Sequence, residues 1–187
     1  MTRFINLGFV FLCFMIDAIL QTIFPVDFEM RRLFFVSSCG VVGLMLVVQD
    51  MKFNAAWILA FTVGLILDLS HYGYFLLNAF VLMSTIIALR YWSNQVNSSL
   101  LEFMTLSIVA IFTKEFLIFI VMRMSGLSSI SFLNWFIYRE FLTLIGHIPL
   151  VLGIRKIYRL KEILLNDREQ LKRKAEDPLF MNLGRRS

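Results

Sequence analysis

AWILAFTVGLILDLSHYGYFLLNA, residues 56–79, is apolar for most of its length and yet carries an aspartate. Ala56, Ala60 and Gly64 recur every fourth residue, and the next step along the same row is Asp68. On an α-helix these positions share one face, small enough for another backbone to approach closely, and the face ends in a carboxylate. Ser70-His71-Tyr72-Gly73 interrupts the pattern. A second apolar run then begins at Tyr74 and brings Asn78 in after one turn. A close-packing helix face that leads to an acidic group within an apolar stretch is expected here.

Working outward, the chain has 187 residues, 59% of them hydrophobic, and a mean hydropathy of +0.77. A soluble domain is closer to half apolar and shows polar faces at helical spacing. Here long runs are apolar all round, which marks helices whose solvent is lipid. The expected fold class is an all-α polytopic membrane protein. The net charge of +5 sits wholly beyond residue 154, where ten Lys/Arg stand against five Asp/Glu; residues 1–154 hold eight of each. A basic segment after a last span reads as a cytoplasmic anchor beside anionic lipid. Nucleic acid is not expected as a partner, because basic and acidic residues are mixed and no binding module is present. Cys13 and Cys39 fall within apolar runs and read as small buried hydrophobes, with no metal or disulfide spacing. The N-terminal apolar run is too long for a cleaved leader and is expected to be a retained helix.

The pattern predicts six transmembrane helices, at about residues 4–24, 33–49, 55–70, 74–92, 100–122 and 132–154. Pro25 ends the first. The third is short for a bilayer about 30 Å thick, which suggests that protein surrounds its ends. Arg90-Tyr91-Trp92 closes the fourth as an interfacial anchor. Six spans put both termini on one side, and the basic tail makes that side the cytoplasm. Two regions follow, a transmembrane domain (1–154) and a basic tail (155–187). In the tail, Ile157, Leu160, Leu164 and Leu171 recur at three- and four-residue steps, interrupted by Asp167. A C-terminal cytoplasmic amphipathic helix to about residue 177 is expected, lying on the membrane or packing on a partner.

Apart from Arg90 and Glu102 at span ends, six charged groups fall within the predicted spans: Asp17, Asp68, Lys114, Glu115, Arg139 and Glu140. Such groups are costly in lipid and face the bundle interior. The topology puts all six in the outer half of the membrane. Helices five and six form an antiparallel hairpin that brings Lys114-Glu115 level with Arg139-Glu140. Glu115–Arg139 and Lys114–Glu140 are the candidate bridges. The set is either a buried network that sets helix packing or an outward-facing pocket. His71 reads as an interfacial histidine and His147 as a helix–helix hydrogen-bonding group. No zinc-protease motif, phosphate-cradling glycine loop or nucleophile elbow appears, so neither catalysis nor a cofactor or metal is expected.

The helix three–four segment resembles the rod-shape-determining protein MreD family of bacteria, carried by Gly64-Leu65, Asp68-Leu69, Gly73 and Asn78-Ala79. Tyr74 and Leu76 stand where that family often has Pro and Gly. The resemblance implies a non-enzymatic subunit of the cell-shape, or elongation, complex in the bacterial inner membrane. It would bind the bitopic protein MreC, together with actin-like MreB and the wall polymerases, and support lateral peptidoglycan synthesis. Ala56, Ala60, Gly64, Asp68 and Asn78 would then serve helix packing or the partner, and a homodimer is compatible with this reading. The resemblance also implies a bundle like the S components of energy-coupling-factor vitamin transporters. Such a component is the alternative function, with the outer-half charges as its ligand site.

Overall fold

The computed structural model describes residues 2–24, 33–49, 51–70, 76–93, 100–126 and 128–176. They form α1 (Thr2–Ile23), α2 (Cys39–Gln49), α3 (Phe53–Ser70), α4 (Leu77–Ser93), α5 (Leu100–Met124), a short α6 (Phe132–Trp135) and α7 (Phe141–Glu176). A π-helical turn, Phe136–Glu140, joins α6 to α7. No strand occurs among the described residues. Three stretches are long and apolar enough to cross a membrane: Phe4–Ile23, Leu100–Met124 and Phe132–Leu171. Shorter apolar helices lie at Cys39–Gln49, Phe53–Leu69 and Leu77–Leu89. Large apolar side chains such as Phe4, Phe11, Ile19, Leu101, Leu133 and Phe141 point outward, as they do where lipid is the solvent.

The second predicted helix, residues 33–49, is broken. Residues 33–38 are non-helical, and the helix begins at Cys39. α2 is therefore only 11 residues long, about 16 Å at the helical rise. It is the central helix: residues 39–48 are all buried, with α1, α4, α5 and α7 packed around it. A helix enclosed by protein need not match the thickness of lipid. Protein thus surrounds α2, not the third helix as its length suggested. α3 packs chiefly on α4 and leaves Ile58, Ile66 and Leu69 exposed.

The remaining boundaries differ less. The described part of α4 starts at Leu77 rather than 74, and α5 continues two residues past 122. The sixth predicted helix does not stop at 154. α7 runs unbroken to Glu176, so no backbone break marks the division between residues 1–154 and 155–187. Just past that point it is pinned to the bundle. Arg155 lies 4.9 Å over the Phe103 ring, Tyr158 meets Phe9 edge-on at 5.3 Å, and Lys161 donates to Asn6 Oδ1 at 2.7 Å. The beginning of α1 and residues 155–161 therefore lie at one end of the bundle. Pro25, His71, Gly73, Tyr74 and residues 177–187 lie outside the described residues.

Candidate functional site

The row read from the sequence is the buried face of α3. Ala56, Ala60, Gly64 and Asp68 are its buried residues, at a spacing of four. Gly64 is required by close approach. A Cβ there would fall on the Ala79 Cα and within 2.6 Å of the Ala79 nitrogen on α4. One turn further on, Asp68 caps the start of α4. Its Oδ1 accepts from the Asn78 backbone N–H at 2.9 Å and from Asn78 Nδ2 at 3.0 Å. Its Oδ2 accepts from the Ala79 N–H at 3.0 Å. The first N–H groups of a helix have no partner within it, and the dipole there favours an anion. The carboxylate is tolerated because a neighbouring helix start neutralises it. The stripe is thus covered by α4 of the same chain near its Asp68 end.

Asp17 on α1 does the same for α2. Oδ1 accepts from the Cys39 N–H at 2.6 Å and also from Ser37 Oγ, and Oδ2 accepts from the Gly40 N–H at 2.7 Å. Small residues again permit the approach: a Cβ on Gly40 would strike the Phe14 ring, and one on Gly43 would meet Cys13 Sγ at 2.5 Å.

The break before α2 exposes backbone groups in a buried place, and the π-helical turn and α7 supply their partners. In the extended segment every second N–H points to one side. Phe34 N–H donates to Tyr138 O at 3.0 Å, Val36 N–H to Thr143 Oγ1 at 3.2 Å, and Ser38 N–H to His147 Nε2 at 2.8 Å. His147 Nδ1 meets Thr143 O at 2.6 Å, so with Nε2 accepting, the ring proton sits on Nδ1. Irregular backbone in a buried, apolar place survives where protein satisfies its polar groups, as here.

Above this segment lies the charge cluster. Glu115 is fully buried and holds two cations. Arg139 Nε and Nη2 reach its Oε2 at 3.0 and 2.6 Å, and Lys114 Nζ lies 2.8 Å from Oε1. Lys114 also donates to Ser38 Oγ at 2.9 Å, tying the cluster to the broken helix. Of the two candidate bridges the structure holds Glu115–Arg139; Lys114 turns to its own neighbour instead of Glu140. Glu140 is fully buried, and neither carboxylate oxygen has a hydrogen-bond partner. It reaches that position through the π-helical turn. Trp135 and Glu140 would lie about 140° apart on a regular helix, and the widened turn lets both face inward. Phe112, Phe116, Phe119, Phe132 and Trp135 stack beside this turn and lock α5 to α6.

The structure thus brings Asp17, Lys114, Glu115 and Arg139 together around Ser37 and Ser38, and it keeps Asp68 with Asn78 in a separate corner. Ser37, Ser38, Thr143 and the Tyr138 carbonyl are participants that the sequence reading missed. A signal existed: Ser37-Ser38 ahead of an apolar run is a helix-start pattern. Among the described residues no group of three or more His, Cys, Asp or Glu is arranged to hold a metal ion. In chemical terms the cluster can lock helices or receive a polar group. The architecture is that of a helical membrane protein. No family model matches the chain, and no curated protein or solved structure shows significant similarity to it.

Proposed function

We propose that this chain is a non-enzymatic scaffold of the MreD type in the bacterial inner membrane, binding an MreC-type bitopic protein within the cell-shape complex. The observation that carries the reading is the Gly64–Asp68–Asn78–Ala79 corner. Four of the residues on which the family resemblance rests, Gly64, Asp68, Asn78 and Ala79, are interlocked by one close backbone contact and three hydrogen bonds. The helix-start N–H groups that meet Asp17 and the two cations held by Glu115, all from the chain itself, also support a structural role for the charges. In this reading the three long and three shorter apolar helices are six spans of an S-component-like bundle, and both termini are cytoplasmic. The basic tail sits beside anionic lipid, and no cofactor is used. MreB and the wall polymerases complete the assembly.

One observation favours the transporter alternative. Glu140 is a buried carboxylate with no partner, in a π-helical turn of the kind that often marks function. Depletion in a rod-shaped host discriminates between the two. The scaffold reading expects rounded cells and loss of the MreC-type protein from pull-downs of the complex. Unchanged shape with vitamin-dependent growth would instead identify a transporter component.

A further inference from the structure

We propose that the exposed seam of α7 formed by Ile157, Leu160, Leu164 and Leu171 docks an acidic amphipathic helix of a partner protein as a short coiled coil. The argument needs only the membrane reading, not the cell-shape assignment. The helical stretch Phe132–Leu171, which contains an apolar window long enough to span, covers 40 residues, about 60 Å of helix, twice the hydrocarbon thickness of a bilayer. Part of it therefore stands outside. The contacts of Arg155, Tyr158 and Lys161 with Phe103, Phe9 and Asn6 mark where the bundle ends, and the helix continues past them to Glu176.

On this extension Tyr158, Lys161, Glu162 and Leu165 are half-buried and face the body. Ile157, Leu160, Leu164 and Leu171 are exposed on a different side, the last two by 64% and 66%. At 100° per residue these four fall within about 60°. Steps of three, four and then seven residues give the seam of a coiled coil, and Ile163, also exposed, stands about 60° beside Leu160 at a flanking position. Lying on lipid would require a bend between the spanning and projecting parts; α7 is one continuous helix from Phe141 to Glu176, and its proline, Pro149, falls before residue 155.

Charge selects the occupant. Of the charged residues beside the seam, Lys156 and Arg168 are exposed and basic, whereas Glu162 and Glu169 lie on the far side of the helix, so acidic flanks on the partner complement the seam. A second copy in the same membrane would pair in parallel. That would set Asp167 against Asp167 within the seam, and basic flanks against basic flanks. The partner helix instead carries Lys or Asn opposite Asp167.

The test uses the full chain in nanodiscs and, as probe, a fluorescent designed zipper peptide with Ile and Leu at the seam, Glu on both flanks and Lys opposite Asp167. Binding is expected, and it should weaken at least about 100-fold in the Leu164→Glu/Leu171→Glu variant, where two apolar anchors become charged. The same peptide with Lys flanks should fail. Both substituted residues are exposed, so the thermal unfolding of the bundle should not move. A nitroxide on Leu171→Cys should be water-accessible before the peptide is added, with Cys13 and Cys39 left unlabelled because they are buried. Peptide binding indifferent to the double substitution would overturn the proposal. So would a nitroxide embedded in lipid, or disulfide formation between copies through Leu164→Cys.

Discussion

Glu115 is the residue on which the buried charge cluster balances, since one carboxylate there holds both Lys114 and Arg139. Removing one partner of a buried pair strands the other charge and costs about 3–5 kcal/mol in soluble proteins, while removing both is often mild. The figure is expected to be smaller in lipid, where other polar groups and water compensate. Glu115→Leu and Arg139→Leu should each lower the yield of folded protein, and the double variant should recover part of it. The parallel cycle on Lys114 and Glu140 should be additive, because those side chains share no bond. Fluorescence-detected size exclusion of detergent extracts measures both cycles. At Glu140 the expectation has the opposite sign. A buried carboxylate without donors is destabilising, so Glu140→Gln, nearly the same shape without the charge, should keep or raise folded yield.

Two helix starts are capped from a neighbouring helix, and their loss should be felt at the scale of the element. Asp68→Ala removes the cap of α4 and should cost about 0.5–2 kcal/mol, the range for lost caps. Asp17→Ala should cost more, because it strips partners from three donors that are buried around the broken helix. Thermal denaturation of purified protein ranks the two. Gly64→Leu should be worse than either, since its side chain would have to displace the α4 backbone. Ile58→Phe, on the exposed side of α3, should leave assembly unchanged. Equal tolerance at 58 and 64 would remove the close-packing account of the small-residue row.

For the molecule as a whole, α7 ties the last part of the described chain to its beginning. The Lys161–Asn6 bond and the Tyr158–Phe9 ring contact bring both to one end. Cysteines placed at the exposed positions Phe4 and Leu164 should therefore react with an impermeant maleimide from the same side of sealed vesicles. Labelling from opposite sides would contradict the arrangement. The opposite end of the bundle is held differently, by the aromatic stack of α5 and α6 and by the Glu115–Arg139 pair. The central α2 is reached by neither lipid nor water along residues 39–48.

Local regularities in the sequence were enough for the all-helical class, the membrane setting and the small-residue row, because periodicity and hydropathy are properties of each segment alone. They also placed Glu115 and Arg139 at matching depth, since an antiparallel hairpin equates distances counted from its loop. The sequence did not announce the break before α2. Residues 33–38 are apolar enough to be helical, and they stay extended because Tyr138, Thr143 and His147, more than a hundred residues away, accept their N–H groups. Nor did it assign the partners of Asp17 and Asp68, since a carboxylate in an apolar run can be met by a cation, by water or by a helix start. The tertiary structure chose the helix start in both cases, because packing small residues against the neighbouring helix brings its unpaired N–H groups within reach.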